Sequence, residues 1–186
     1  VGAVLNDGNG NYSGHVRVYE YANGNWSQLG SDIDGDYAND RSGYSVSLSD
    51  DGTIVAIGAP TNSGVGGNSY RTGQVRVFKN INGNWSQLGS DIYGEAIMDW
   101  SGYSISLSDS GTTVAIGANE NDGNGSNSGH VRVYKFINGN WSQLGSDIDG
   151  QAVSDESGFC VSLSANGNIV AIGAPYNDSN SFNSGH

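Results

Sequence analysis

A repeat that runs through the whole chain limits what this protein can fold into. One segment, Ser-Gly-Tyr-Ser-Val-Ser-Leu-Ser at 42–49, recurs with small changes at 101–108 and 157–164. A second segment, Gly-Asn-Trp-Ser-Gln-Leu-Gly-Ser-Asp-Ile, occurs at 24–33, 83–92 and 139–148. Gly2 and Gly173 hold the same position in the repeat and lie 171 residues apart, so the 186-residue chain holds three repeats of about 57 residues. Repeats of this length are supersecondary units that stack on their neighbours.

Each repeat is predicted to contain four short β-strands. In the second repeat the first three are 44–49, 53–58 and 75–79, and the fourth begins at Trp85. The first and third alternate apolar with polar residues, whereas the second is apolar on both faces and is expected to be fully buried. Asp51-Gly52 and Asn82-Gly83 are hairpin signals, because these residue types tolerate positive φ angles. No segment has the 3.6-residue period of a helix, so we predict an all-β chain.

The repeated four-stranded unit predicts blades of a β-propeller, joined by longer linkers. The expected units are a partial blade at 1–41, blades at 42–100 and 101–156, and a partial blade at 157–186. Propellers typically have about four to eight blades, so three repeats do not close a ring. We therefore expect either a segment of a longer propeller, which we favour, or an oligomer in which chain ends share a blade.

Several residues recur at the same position in every repeat, and their recurrence indicates a structural role. We expect the tryptophans to pack between blades and the arginines to pair with recurring aspartates. The tryptophans are Trp26, Trp85 and Trp141; the arginines are Arg17, Arg76 and Arg132; the aspartates are Asp32, Asp91 and Asp147. His15, His130 and His186 share a position that Gln74 takes in the remaining repeat, so we interpret them as turn residues. Cys160 replaces a recurring serine and is expected to be buried and inert.

The charge is strongly acidic, and its distribution points to one edge of the blades. The chain has 19 acidic and 7 basic residues, a net charge of −12, which argues against nucleic acid as a partner. Of the 19 acidic residues, 15 lie in the inter-blade linkers and the loops between second and third strands, which share one edge. That edge is the expected binding surface for cations or a cation-bridged partner. The alternative is that the charges only keep an extracellular surface soluble.

Candidate ligands for a cation lie in these loops, with Ca²⁺ as the expected ion. The candidate metal residues are Asp34, Asp36, Asp122 and Asn124. The candidate ligand-binding residues on the same edge are Asp7, Asp40, Asp99, Glu120 and Asp155. No catalytic constellation is present, because the polar residues repeat with the blade, so we do not expect an enzyme. No stretch of about 18 apolar residues occurs, and we predict no membrane span.

The repeat resembles the FG-GAP repeat. The resemblance is carried by Ser42-Gly43-Tyr44-Ser45-Val46 and by Ile57-Gly58-Ala59-Pro60, which recur in order, and by the Val-Arg-Val strand that follows. FG-GAP repeats build the seven-bladed propeller of integrin α subunits and of many surface proteins. Serine replaces the family's phenylalanine, and the Asp50–Gly52 connection is too short for the family's EF-hand-like calcium loop, so that site is not carried over.

The resemblance implies an extracellular or cell-surface propeller that acts as a non-catalytic adhesion or ligand-binding module. Its partner would be a protein or a carbohydrate at the cell surface. Two alternatives remain open. One is a structural repeat protein that forms a surface filament or layer and binds copies of itself. The other is a lectin with a shallow sugar site in each blade.

Overall fold

The structure, a computed structural model, describes residues 1–63, 71–179, 181 and 183–186. These residues form short antiparallel sheets and contain no helix, as the sequence predicts. The loop that carries the three-residue insertion falls largely at 64–70, outside the described residues. In the described segments there is no helix of the length and apolar character that a membrane crossing requires.

Two sheets of five strands form the middle of the described structure. The first contains β6 (Ser45–Leu48), β7 (Ile54–Ala59), β8 (Gln74–Ile81), β9 (Asn84–Gln87) and β10 (Ile92–Tyr93). The second contains β11 (Ser104–Leu107), β12 (Thr113–Ala118), β13 (His130–Ile137), β14 (Asn140–Gln143) and β15 (Ile148–Asp149). The strands have the same order in both sheets. In the first sheet β9 and β10 pair with the two ends of β8, and in the second β14 and β15 pair with the two ends of β13.

Smaller sheets flank these two. On one side are β1 (Gly2–Ala3), β2 (His15–Val16), β3 (Tyr19–Ala22), β4 (Asn25–Gln28) and β5 (Ile33–Asp34). Here β2 lies between β1 and β5, while β3 and β4 form a separate hairpin. On the other side β16 (Cys160–Leu163) pairs with β17 (Val170–Gly173).

The predicted fourth strand is broken into two pieces. Between β9 and β10 the chain passes through Gly89, whose φ of 76° lies in the left-handed region and interrupts the extended backbone. The Leu88 N–H still donates to the Val77 carbonyl, so the second piece returns to the same partner strand. The sequence pattern gave no sign of this break.

The two predicted hairpin turns differ in kind. Asn82 and Gly83 have φ angles of 53° and 86°, which is the two-residue turn that Asn-Gly favours. The connection from β6 to β7 is longer, at 49–53, and only Gly52 has a positive φ there. Its turn is held by the Asp51 carboxylate, whose Oδ1 accepts hydrogen bonds from the Ser49 hydroxyl and the Thr53 N–H, at 2.7 and 2.9 Å.

Neighbouring sheets lie very close together through their small residues. The Ser45 hydroxyl donates to the Gly102 carbonyl at 2.7 Å, and the Ser104 hydroxyl donates to the Gly158 carbonyl at the same distance. A Cβ added at Gly117 would overlap the Gly158 carbonyl oxygen, so only glycine permits this approach. Strands β7 and β12 are buried at all six positions, as predicted for the second strand of the repeat.

Tryptophan side chains join successive sheets. The Trp85 indole N–H donates to the Leu29 carbonyl at 2.8 Å, and the Trp141 indole N–H donates to the Leu88 carbonyl at 2.7 Å. The prediction of packing between units is therefore confirmed for these two. Trp26 is 69% exposed, because no described sheet covers its face.

The prediction that Cys160 is buried is wrong, because its side chain is exposed. Strand β16 packs against β11 on one face, and no other described sheet lies on the opposite face.

Candidate functional site

One edge of the sheets collects the linkers and the loops between second and third strands. The register pairs Ser45 with Gly58, Ala59 with Gln74, and Gln74 with Tyr93. The start of β6, the end of β7, the start of β8 and the end of β10 therefore meet at this edge, which we call the linker edge. The opposite edge carries the Asn-Gly turns, and we call it the turn edge.

Three of the predicted ligand residues are buried supports of the linkers. Asp40, Asp99 and Asp155 are all buried. Their Oδ2 atoms accept N–H hydrogen bonds within their own linkers, at 2.9 Å from Tyr37, 2.8 Å from Ala96 and 2.9 Å from Ala152. Burial raises the pKa of Asp40 above its ordinary value. The structure gives these carboxylates backbone partners, and contact with a ligand stays a prediction.

Asp7, Asp122 and Asn124 close their own loops. The Asp7 Oδ1 accepts the Tyr12 N–H at 2.8 Å, and the Asp122 Oδ1 accepts the Asn127 N–H at the same distance. The Asn124 amide donates to the carbonyl of Gly150 at 2.8 Å, tying the loop to the following linker. Asp122 and Asn124 lie in a different repeat from Asp34 and Asp36, and the cation-binding role of these four candidates stays a prediction.

Glu120 lies half-buried at the end of the same loop region. Its pKa is raised, first by burial and second by the nearby charge of Glu156. The Asn119 amide donates to the Glu156 carboxylate at 3.3 Å. Glu120 thus stands among other acidic groups at the linker edge, and its predicted ligand role stays untested.

The expected arginine pairs hold for one repeat and are wrong for two. Arg17 donates to both oxygens of Asp32, at 2.9 and 2.8 Å, and this pairing lowers the pKa of Asp32 to about 2. Arg76 instead pairs with Asp36 at 2.5 Å, and Arg132 pairs with Glu95 at 3.1 Å. The reason is that the linker leaving one sheet reaches over the arginine of the next.

Two histidines face carboxylates at the linker edge, which their interpretation as turn residues missed. His15 Nδ1 lies 3.6 Å from Asp32 Oδ2 and 4.0 Å from Asp34 Oδ1. His130 Nδ1 lies 3.8 Å from Asp147 Oδ2 and 4.0 Å from Asp149 Oδ1.

Two groups of side chains have the residue types and spacing to hold a metal ion. They are His15 with Asp32 and Asp34, and His130 with Glu95 and Asp147. Within each group the ligand atoms lie within 4.8 Å of one another. Burial, and then the charge of Arg132, lower the pKa of His130 below its ordinary value. The sequence signal that was available is a correlation: aspartate follows Ile33 and Ile148 in the two repeats with histidine, whereas Tyr93 takes that place in the repeat with Gln74.

Aromatic rings form a ladder where the first strands begin, also at the linker edge. The rings of Tyr44 and Tyr103 lie 5.0 Å apart, and those of Tyr103 and Phe159 lie 5.2 Å apart. Burial raises the pKa of Tyr103. These rings follow the linkers directly, so they add apolar surface beside the acidic groups.

The linkers also carry exposed apolar tips and unusual backbone. Tyr37, Ile97, Met98 and Val153 are exposed there. Met98 and Trp100 have φ angles of 70° and 56°, a region that non-glycine residues adopt rarely. The corresponding residues of the other two linkers, Asn39 and Arg41, and Ser154 and Glu156, also have positive φ angles, so this backbone belongs to the repeated structure of the linkers.

Comparison with known proteins identifies one segment. Residues 94–134 match the FG-GAP repeat family. The matched segment runs from the linker after β10 to the middle of β13, and it confirms the resemblance to FG-GAP and integrin α-like repeats. No curated protein matches the chain.

Proposed function

We propose that this chain is part of an extracellular β-propeller that acts as a non-catalytic adhesion or ligand-binding module. The observation that carries the proposal is the FG-GAP match at 94–134, because this segment supplies a linker, a second-to-third strand loop and the strands that hold them. On a scaffold of repeated strands, function lies in the loops that the strands position.

The stacking of the sheets supports a propeller arrangement. Two kinds of contact recur between successive sheets. A serine hydroxyl on a glycine carbonyl occurs at two of the three junctions, an indole N–H on a leucine carbonyl occurs at two, and the middle junction has both. A constant contact between identical units produces a constant rotation, which is how repeat proteins build rings and superhelices. Three repeats would then form an arc of such a ring.

The linker edge is the surface that we assign to the ligand. Its exposed apolar tips lie beside carboxylates, and apolar contact area with polar surroundings is typical of protein-binding sites. The turn edge offers a matched comparison, because Ile81 and Ile137 are exposed there next to the Asn-Gly turns. The ligand is a protein or a carbohydrate of a cell surface.

Bead attachment tests the proposal. Beads coated with the chain are applied to immobilised collagen, fibronectin and laminin and to a glycan array. We expect saturable attachment to at least one surface. The double variant Ile97→Ser, Val153→Ser should reduce attachment at least tenfold, whereas Ile81→Ser, Ile137→Ser should leave it unchanged. Attachment to none of these surfaces, or equal loss in both double variants, would contradict the assignment.

A second candidate is a structural repeat protein that binds copies of itself. The favouring observation is that the two ends of the sheet stack match. Trp26 is exposed at one end, and Leu144 is exposed at the other. Leu144 is the equivalent of Leu29 and Leu88, whose carbonyls accept the indole N–H groups of Trp85 and Trp141. One copy's Trp26 would donate to the Leu144 carbonyl of another. Analytical ultracentrifugation tests this: assembly that Trp26→Ala abolishes supports it, and a monomer at all concentrations refutes it.

A further inference from the structure

The side chain of His130 is buried without a partner, which is unusual for a polar ring. It is 1% exposed, and in the described part of the chain neither ring nitrogen makes a hydrogen bond. Its Nε2 is fully enclosed, so Nδ1 is the nitrogen that remains available. Nδ1 is directed at two carboxylates without a hydrogen bond to either, an arrangement that a cation between them would complete.

The carboxylates that face Nδ1 stand at a distance that suits a shared ion. Asp147 Oδ2 and Asp149 Oδ1 are 3.8 and 4.0 Å from Nδ1, too far for a hydrogen bond. With metal–ligand bonds of about 2.1 Å, two ligand atoms on one tetrahedral ion lie roughly 3.4 Å apart, and wider angles give larger separations. Glu95 belongs to the same group, with a ligand atom within 4.8 Å of those of His130 and Asp147.

The second repeat has different residues at the same position, where the Gln74 amide oxygen is also buried without a hydrogen bond among the described residues. There Gln74 replaces the histidine and Tyr93 replaces its register partner Asp149. The Gln74 amide donates to Asp36 at 3.4 Å, and the Tyr93 hydroxyl donates to Asp91 at 2.8 Å. Histidine thus occurs where its strand partner is an aspartate, and glutamine where the partner is a tyrosine.

The first repeat has the same pair, His15 and Asp34, but the carboxylates beside His15 are less available to bind an ion. Both oxygens of Asp32 already accept hydrogen bonds from Arg17, and one also accepts from Gln28. At His130 the equivalent Arg132 pairs with one proposed ligand, Glu95, at 3.1 Å, and leaves Asp147 Oδ2 with no hydrogen-bond donor among the described residues. The site at His130 is therefore the stronger of the two.

We propose that His130, Asp147 and Glu95 bind a divalent transition-metal ion, with zinc as the preferred metal. An imidazole nitrogen suits zinc, whereas calcium takes oxygen ligands. The three carboxylates around His130 outnumber the single charge of Arg132, so the site attracts a cation. Asp149 supplies a further oxygen nearby, and water completes the coordination. This site is independent of the ligand surface at the linker tips.

Calorimetry with zinc chloride on the EDTA-treated chain tests the proposal. We expect one tight site per chain. Loss of an outer-shell partner already weakens a metal site about tenfold or more, so loss of the ligand in His130→Gln should weaken this one at least about tenfold. Glutamine at this position is compatible with the fold, because Gln74 occupies it in the second repeat. His15→Gln is the matched control, since it makes the same change in the weaker group and should leave the tight site intact.

Thermal unfolding with zinc and a titration with calcium provide two further readouts. Zinc should raise the melting temperature of the native chain and of His15→Gln, but not of His130→Gln. Calcium chloride should give no saturable binding that depends on His130. Absence of tight zinc binding, zinc binding that His130→Gln leaves unchanged, or a calcium site of equal affinity at Glu95 and Asp147 would each overturn the proposal.

Discussion

Replacing Trp141 with alanine should separate the contribution of sheet stacking from that of the individual sheets. Trp141 is 8% exposed, its indole N–H donates to Leu88 of the neighbouring sheet, and its ring lies 5.3 Å from that of Phe136. Removing a buried tryptophan of this kind costs about 3–5 kcal/mol, because a cavity remains and a carbonyl loses its donor. For a chain of this size that corresponds to a fall in melting temperature of roughly 6–20 °C.

The same substitution at Trp26 is the control. Trp26 has the equivalent position but is exposed, and its main contact is the Tyr21 ring at 5.2 Å. Such an aromatic pair contributes about 0.5–1.5 kcal/mol, so Trp26→Ala should cost about 1 kcal/mol. Urea unfolding followed by far-ultraviolet circular dichroism measures both, with the m-value as a check that the transition stays cooperative. If the two variants lose equal stability, the sheets do not stack through these tryptophans.

Three other substitutions test particular contacts. Gly117→Ala should destabilise the fold by about 1–3 kcal/mol in urea unfolding, because the new methyl group overlaps the Gly158 backbone. Gly173→Ala is the control and should cost less, because its methyl group overlaps only the Cys160 side chain. Equal costs would argue against the close approach of the two sheets. The pKa of Asp51 is lowered, first by the Ser49 hydroxyl, so its charge stabilises the fold above the unfolded pKa of about 3.9 and ceases to do so as pH falls through the lower folded value. Asp51→Asn should therefore reduce the melting temperature at pH 7 but not at pH 2, and an unchanged deficit at pH 2 would refute this. Asp99→Ala should speed amide hydrogen exchange at Glu95 and Ala96, whose N–H groups it leaves unpaired; unchanged exchange there would mean that the carboxylate does not hold the linker.

The parts of the fold that depend on neighbouring residues in sequence were predictable. The Asn82-Gly83 turn follows from two residues that tolerate positive φ, and the buried strand β7 follows from an apolar run bounded by turn residues. The tryptophan contacts followed from recurrence, since a residue present in every unit serves the packing that every unit shares. Each of these features follows either from neighbouring residues within one repeat or from a residue that recurs in every repeat.

The arginine pairs that the sequence pattern missed cross from one repeat to the next. Arg76 and Arg132 pair with Asp36 and Glu95 because a linker folds over the following sheet, and the linear pattern carries no information on that path. The histidine site was missed because the fourth strand breaks at its centre and resumes at Ile148–Asp149, beside His130. If the fourth strand is taken to end at the break, Asp149 is expected in a loop and not beside His130.

The buried linker aspartates illustrate a further limit. Asp99 is buried on backbone N–H groups, whereas Glu95 in the same linker is exposed and pairs with Arg132. Both are acidic residues in a polar segment, and their composition does not distinguish them. Only the path of the linker backbone decides which carboxylate turns inward.

The stacking of the sheets through tryptophan is tested most directly by indole hydrogen exchange. In a chain labelled with ¹⁵N-tryptophan, each indole N–H gives a resolved signal by nuclear magnetic resonance. We expect slow exchange for Trp85 and Trp141, whose N–H groups donate to carbonyls of the neighbouring sheet, and fast exchange for the exposed Trp26. Equally fast exchange at Trp26, Trp85 and Trp141 would contradict the stacked arrangement.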